Sequence, residues 1–344
     1  MTTSTEWTLA RREFLRMAFA APCALGLGET VAHAEDLKPG VTEPSPAEIA
    51  RAIVAMNRTA ATNVTSERLA AAETLQRSVD RLRAAEFNEY FKSDSATAER
   101  WERERGILKF LDLSFDKILA ELRTTKVEDG TVVFWHVYNM GYLVKTPTQT
   151  FAIDVRHRRA KELVPDVEFL LVTHNHGDHF VKNFCDALAD AGKPVVSNFI
   201  ENQWVTPEDE AKREFGDCSI VMRRVDHNKT TLINYVTTFE IHCGPRADNC
   251  VVYHVGDACD VRQLNPTAQV DVFIPHLAVG LDVPKAVNET LKPRVTLLSH
   301  ILELGHLIDK WRWSYEYGYN IVKKCDNDSV ILPVWGEKYL YRRA

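Results

Sequence analysis

No Gly-x-Ser-x-Gly elbow occurs in the 344 residues, so the sharp strand-to-helix turn that exposes a nucleophilic serine is excluded as the organising device. Only seven cysteines are present and no two stand three apart, which removes a paired-thiol zinc site. Basic residues are outnumbered, 42 Lys and Arg against 48 Asp and Glu, and the net charge of -6 argues against a general nucleic-acid binder, whose footprint is a basic excess. No apolar run reaches the roughly 20 residues that a membrane-spanning helix needs. What is there is globular material, 45% hydrophobic and 26% charged, enough to bury one large core or two modest ones.

The first 34 residues read as an address. Arg11-Arg12-Glu13-Phe14-Leu15-Arg16 precedes a short apolar stretch from Met17 to Leu27, broken by Pro22, and Ala32-His33-Ala34 offers a small-x-small cleavage site. Together they resemble a twin-arginine export signal, which implies handling by the twin-arginine machinery, export of a folded chain to the periplasm, and no stable membrane anchor. Cleavage would leave Glu35 first and six of the seven cysteines, among which Cys243 and Cys250 could close a short loop in an oxidising compartment.

Residues 35–45 carry Pro39, Gly40 and Pro44 and read as a linker. Ser45 as N-cap and Pro46 at the first helical position then open a helical region spanning 46–126. Apolar residues recur three and four apart, as in Leu69, Ala72, Leu75 and Val79, giving a buried stripe opposite a charged face. Ser114 is expected to cap a further helix, making three or four in all, packed on the rest of the chain, forming a lid, or meeting a second copy in a homo-oligomer.

From 127 to 344 the period changes. After Asp129-Gly130 come short β-rich runs at 131–137, 142–145 and 150–155, then 194–197, 236–241, 250–255, 270–275, 294–299 and 330–334. Helices are expected at 180–191, 207–215, 284–291 and from near Asp309 to Lys324. Strand, loop, helix, strand is an α/β layering that places a site at strand ends.

The chemistry concentrates in Leu170–His179, an apolar run ending in His174, His176, Asp178 and His179. Side chains two apart on an extended backbone share a side, so His174 and His176 can grip one ion while Asp178 and His179, beyond Gly177, reach a second. A helical zinc motif would space its histidines four apart.

This run resembles the HxHxDH signature of the metallo-β-lactamase superfamily, and residues 131–344 are most similar to its ascorbate-lactonase-like branch. The resemblance implies an α/β fold, an αββα sandwich of the metallo-β-lactamase type, here preceded by the helical region. It also implies that Asp154 orients a ligand histidine, that His242 completes a first site with His174 and His176, and that Asp257 bridges two ions. His300 would join Asp178, His179 and Asp257 on the second. His227 and His254 are rivals to His242, because only one strand separates His242 from Asp257 where family members commonly have a hairpin. His276 and His306 are expected either to face substrate or to be hydrogen-bonded structural histidines.

The implied catalytic residues are Asp257, Asp178 and His276. The implied cofactors are two divalent metal ions, zinc first and iron or manganese as alternatives. The implied activity is hydrolysis of an ester, lactone, amide or phosphodiester bond in a small-molecule substrate by a bridging hydroxide. Two other classes remain open: an iron-dependent oxidoreductase on the same fold, and a non-catalytic metal- or ligand-binding protein.

Overall fold

The computed structural model describes residues 37–38, 40–206, 210–308, 310–326 and 328–343. The segment read as an export signal lies outside the described residues.

Five helices come first: α1 (Pro46–Arg58), α2 (Ser66–Val79), α3 (Ala84–Lys92), α4 (Ser95–Glu104) and α5 (Gly106–Thr124). Ser45 caps α1 as its sequence suggests. Its hydroxyl accepts from Glu48 N at 3.3 Å while Glu48 Oε2 accepts from Ser45 N at 2.8 Å, a reciprocal capping box. Ser114 caps nothing: α5 runs through it, burying Ile107, Leu111, Phe115, Ile118 and Leu122 along one stripe. Gly336 leaves no more than a serine's width there, since a Cβ on it would stand 2.9 Å from Ser114 Cβ. A small residue was needed under a turn, and that requirement overrode its capping preference.

Two sheets follow. The first has the order β13-β1-β2-β3-β4-β5 and the second β12-β11-β10-β9-β8-β7-β6. The strands of the first are β1 (Thr131–His136), β2 (Tyr142–Lys145), β3 (Thr150–Ile153), β4 (Phe169–Leu171), β5 (Val195–Val196) and β13 (Lys338–Arg342). Those of the second are β6 (Glu210–Phe215), β7 (Cys218–Val225), β8 (Val236–His242), β9 (Val251–His254), β10 (Val272–Ile274), β11 (Val295–Leu297) and β12 (Val330–Ile331). Alternate residues face alternate layers. Phe134, Val144, Phe151 and Leu171 from one sheet meet Ile220, Phe239, Val252 and Ile274 from the other in the interior. Val133, Trp135, Leu143 and Leu170 turn outward into a second core shared with the five helices. The result is an αββα sandwich with the helical region built onto it.

The helix expected at 207–215 is not formed: residues 210–215 are the edge strand β6, paired antiparallel with β7 from Glu210↔Arg223 to Phe215↔Cys218. Glu-Ala-Lys-Arg-Glu are good helix formers, but the turn at Gly216, φ +56°, folds them back on β7, and long-range pairing wins. Glu210 and Glu214 remain exposed along that edge and discourage further pairing. The C-terminal aromatic helix is likewise shorter than expected. Helix α6 (Tyr315–Val322) starts at Ser314, whose hydroxyl accepts from Tyr317 N at 3.1 Å, and Trp311 at φ +66° lies before it. Asp309 lies outside the described residues. Between them, Val283–Lys285 is helical as expected and continues as a π turn, Ala286–Thr290. The six described cysteines, Cys243 and Cys250 included, are free thiols.

Strands β3, β4 and β5 are parallel, as are β9 to β12. Their C-terminal ends therefore open on one edge of the sandwich, the place where loops of α/β proteins gather ligands.

Candidate metal centre

Several loops at that edge deliver ligand-type side chains. His174, His176, Asp178 and His179 follow β4, His227 follows β7, Asp257 follows β9, His276 follows β10 and His300 follows β11. Two groups form. His174, His176, His227 and Asp257 each offer one ligand atom, all within 4.8 Å of one another, and Asp178, His300 and His306 do the same. His179 stands between them, its Nε2 3.2 Å from Asp257 Oδ1 and 3.6 Å from Asp178 Oδ2. The two oxygens of Asp257 divide the work: Oδ2 faces His227 Nε2 at 3.3 Å and His174 Nε2 at 3.7 Å, while Oδ1 faces His179.

His242 is not brought to this cluster. It ends β8, opposite Ser219 and Val251, with Nε2 3.0 Å from Glu240 Oε1 and its side chain 31% exposed. The site lies at the other end of the strand, where Thr237 N donates to Thr173 O at 2.8 Å. Five residues of extended chain separate the two, about 17 Å. His227 takes the place His242 was expected to fill. The β8–β9 hairpin then lies between it and Asp257, so the missing hairpin that made His242 an awkward choice is present after all. That count of strands was the available signal. His254 is buried in β9, its Nε2 2.9 Å from Met140 O. His276 is also buried, its ring centroid 4.0 Å from that of His300, with Nδ1 accepting from Ala278 N at 2.8 Å.

Beneath the ligand-type residues a buried network sets proton positions. Asp154 accepts from Thr173 N at 2.8 Å and from Thr173 Oγ1 at 2.7 Å. A carboxylate only accepts, so His179 Nδ1, 2.8 Å from Asp154 Oδ2, carries the proton. Thr173 has spent its hydroxyl proton on Asp154, so His174 Nδ1, 2.9 Å away, donates to Thr173 Oγ1. His174 thereby presents an unprotonated Nε2 to the cluster, while His179 turns its Nε2 to Asp257 and Asp178. Burial works against the charge of His179, but these carboxylates and Asp154 hold the imidazole well above its ordinary range, so a divalent ion there would take the place of the Nε2 proton.

Those atoms have no hydrogen-bond partner. His174 Nε2, His179 Nε2, His227 Nε2 and Asp257 Oδ1 are buried and unsatisfied together. Such orphans are costly singly and rare in groups. Neutral imidazoles and carboxylates aimed at shared points fit divalent ions.

Backbone strain surrounds the same spot. Asn139, Asp154, His300 and Leu302 all have φ between +46° and +74° without being glycine, a conformation that persists only when surroundings impose it. Gly256, at φ +49°, is hemmed in by Thr173: a Cβ there would stand 2.8 Å from Thr173 Oγ1. Gly256→Ala is expected to displace that hydroxyl, release the His174 proton and weaken metal uptake, with a stability loss of about 1–3 kcal/mol in urea titration.

The charges are arranged accordingly. Burial pushes His174 and His276 well below the ordinary imidazole range and His176 down to about 4, so all three are neutral at pH 7. Burial opposes ionisation of Asp178 and Asp257 too, yet the facing imidazoles, His179 first, hold both carboxyls well below their usual range.

Away from the ligands, burial lowers His136 to about 4 and takes His157, stacked 3.9 Å from Phe115, well down as well. An unfolded histidine protonates near 6.5. The folded state therefore binds fewer protons below that pH, and stability is expected to fall as pH drops from 6.5 to 4, by about 3 kcal/mol from His136 alone. Urea midpoints of metal-free protein across that window test this, and a His136→Gln, His157→Gln double variant should show a shallower fall.

No protein-family model and no curated protein matches the chain. Among solved structures, the chain is similar to Igni18, a metallo hydrolase from the archaeon Ignicoccus hospitalis, at 14% identity and TM-score 0.42, over 62% of this chain and 100% of that one. It is similar to CmlA, a diiron β-hydroxylase from Streptomyces venezuelae, at 14% identity and TM-score 0.45, over 64% and 55%. It is also similar to BJP-1, a subclass B3 metallo-β-lactamase of Bradyrhizobium japonicum, at 11% identity and TM-score 0.29, over 59% and 94%. With its two facing sheets, flanking helices and ligand-bearing loops gathered at one strand-end edge, the fold is an αββα sandwich.

Proposed function

We propose that this chain is an exported metal-dependent hydrolase that cleaves an ester, lactone, amide or phosphodiester bond in a small molecule. The observation that carries the proposal is the convergence of buried, unpartnered ligand atoms on two adjacent points, with one oxygen of Asp257 turned to each. His174, His176, His227 and Asp257 would hold one divalent ion; Asp178, His179 and His300, with Asp257, would hold the other. When bound, such a pair supplies Lewis acidity and brings the pKa of coordinated water toward neutrality.

The chain's own residues do the rest. Asp154 and Thr173 hold the Nδ1 protons of His179 and His174 and so turn both Nε2 atoms to the cluster. His176 and His227 are only partly buried and mark the side from which substrate enters. Tyr235, 5.2 Å ring to ring from His176 and donating to Asn175 O at 3.0 Å, forms a wall of that entrance. The twin arginines and cleavage site at the start of the chain support a periplasmic location, and a mature protein beginning at Glu35 on N-terminal sequencing tests it.

Metal analysis of protein purified from its own host, followed by a panel of lactone, phosphodiester and β-lactam substrates, tests the activity. Two zinc ions with turnover of one class support hydrolysis. Iron with oxygen uptake replaces it with a redox enzyme, and protein that takes up no metal reduces it to a binding protein.

A further inference from the structure

We infer that the helical region is a working part of the metal centre: through Arg312 and Glu303 it holds the 300–306 loop so that His306 completes the second half-site. This rests on the two-ion reading above. His306 joins Asp178 and His300 with a ligand atom each within 4.8 Å. Within its own stretch of chain Glu303 meets it, and Glu303 is itself held from outside the loop. The loop is irregular, with His300 at φ +74° and Leu302 at φ +55°, and such a backbone needs external support.

Glu303 supplies the inner support. It is fully buried, its Oε2 accepting from His306 N at 2.8 Å and lying 3.2 Å from His306 Nδ1. Its Oε1 accepts from Tyr138 Oη at 2.8 Å and from Gly305 N at 2.5 Å, and Tyr138 Oη in turn accepts from Leu304 N at 2.9 Å. The Tyr138 ring lies 5.8 Å from that of Phe87 in α3.

Arg312 supplies the outer support. Its Nε donates to His306 O at 2.6 Å and its Nη2 to Leu304 O at 2.7 Å, while Nη1 donates to Val79 O at 2.9 Å and Leu82 O at 2.6 Å. One guanidinium thus ties two carbonyls of the ligand loop to two at the C-terminal end of α2. That end carries partial negative charge. Only the planar fork of arginine can span four carbonyls at once; the single ammonium of lysine cannot. Arg312 and Glu303 are positioning residues, acting on the site through His306.

The test loads full-length metal-free protein with Co²⁺ and follows uptake by absorption and by metal analysis. Wild type should take two ions. Arg312→Gln and Glu303→Gln should each bind the first ion as wild type does and the second about 10–100-fold more weakly, and His306→Ala should keep the first ion and weaken the second further still. Arg312→Gln combined with His306→Ala should be no worse than His306→Ala, since both act on one ligand. Glu303→Gln keeps volume and fold, so it decides the matter if Arg312→Gln does not fold. Two ions bound with unchanged affinity in Glu303→Gln, or a fall in melting temperature with no change at the second ion, overturns the inference. Wild type that takes one ion or none instead overturns the two-ion reading itself.

Discussion

Asp257→Ala is expected to leave a folded protein with neither ion firmly held and with hydrolysis reduced by about a thousandfold or more, the scale of several kcal/mol of lost electrostatic stabilisation. The reason is geometric. The two oxygens of Asp257 face different groups of ligands, Oδ2 toward His174 and His227 and Oδ1 toward His179. Its removal takes a negative charge from both half-sites at once. It also leaves His179 Nε2 and His227 Nε2 without the carboxylate they face. The loss should be chemical and not structural, because Asp257 sits on the loop after β9 and not within the sheet ladder. Circular dichroism unchanged from wild type, with metal content near zero, is the expected pair of results. A variant that keeps both ions and its activity would end the claim that Asp257 joins them.

The second large effect separates two histidines that look equivalent in sequence. His227→Ala should lose the first ion, with an affinity drop exceeding the 10–100-fold that removal of an outer partner costs. His242→Ala should bind both ions as wild type does. His242 is partly exposed and pairs at 3.0 Å with buried Glu240, which keeps Thr267 N as a donor at 2.8 Å, so removing His242 should cost some stability and leave both ions in place. Isothermal titration of each metal-free variant with Zn²⁺ reads both outcomes. The reverse result would move the metal centre to the opposite end of β8.

Some of this was readable from local pattern. The period-two run into His174, His176, Asp178 and His179 announces a ligand loop behind a strand. Asp154 and Asp257 each follow a short β-rich run, and Ser45 with Glu48 announces a helix start. Local pattern failed where distant partners decided. Residues 210–215 favour helix alone and become a strand against β7, and Ser114 gives up its capping role to fit beneath Gly336. Lys338–Arg342 carries alternating charge and aromatics without an obvious partner until β1 is found beside it.

By itself, the sequence determined which side chains could bind metal, that they sit on loops between strands, and that an α/β core follows a helical region, because ligand type and periodicity are properties of neighbours along the chain. Only the tertiary structure decided that His227 and not His242 joins the cluster, that Asp257 turns one oxygen to each half-site, and that α2 reaches through Arg312 to the loop carrying His306. Those choices depend on which end of each strand opens on the shared edge and on contacts between residues far apart along the chain, 233 positions for Arg312 and Val79, and no local pattern encodes either.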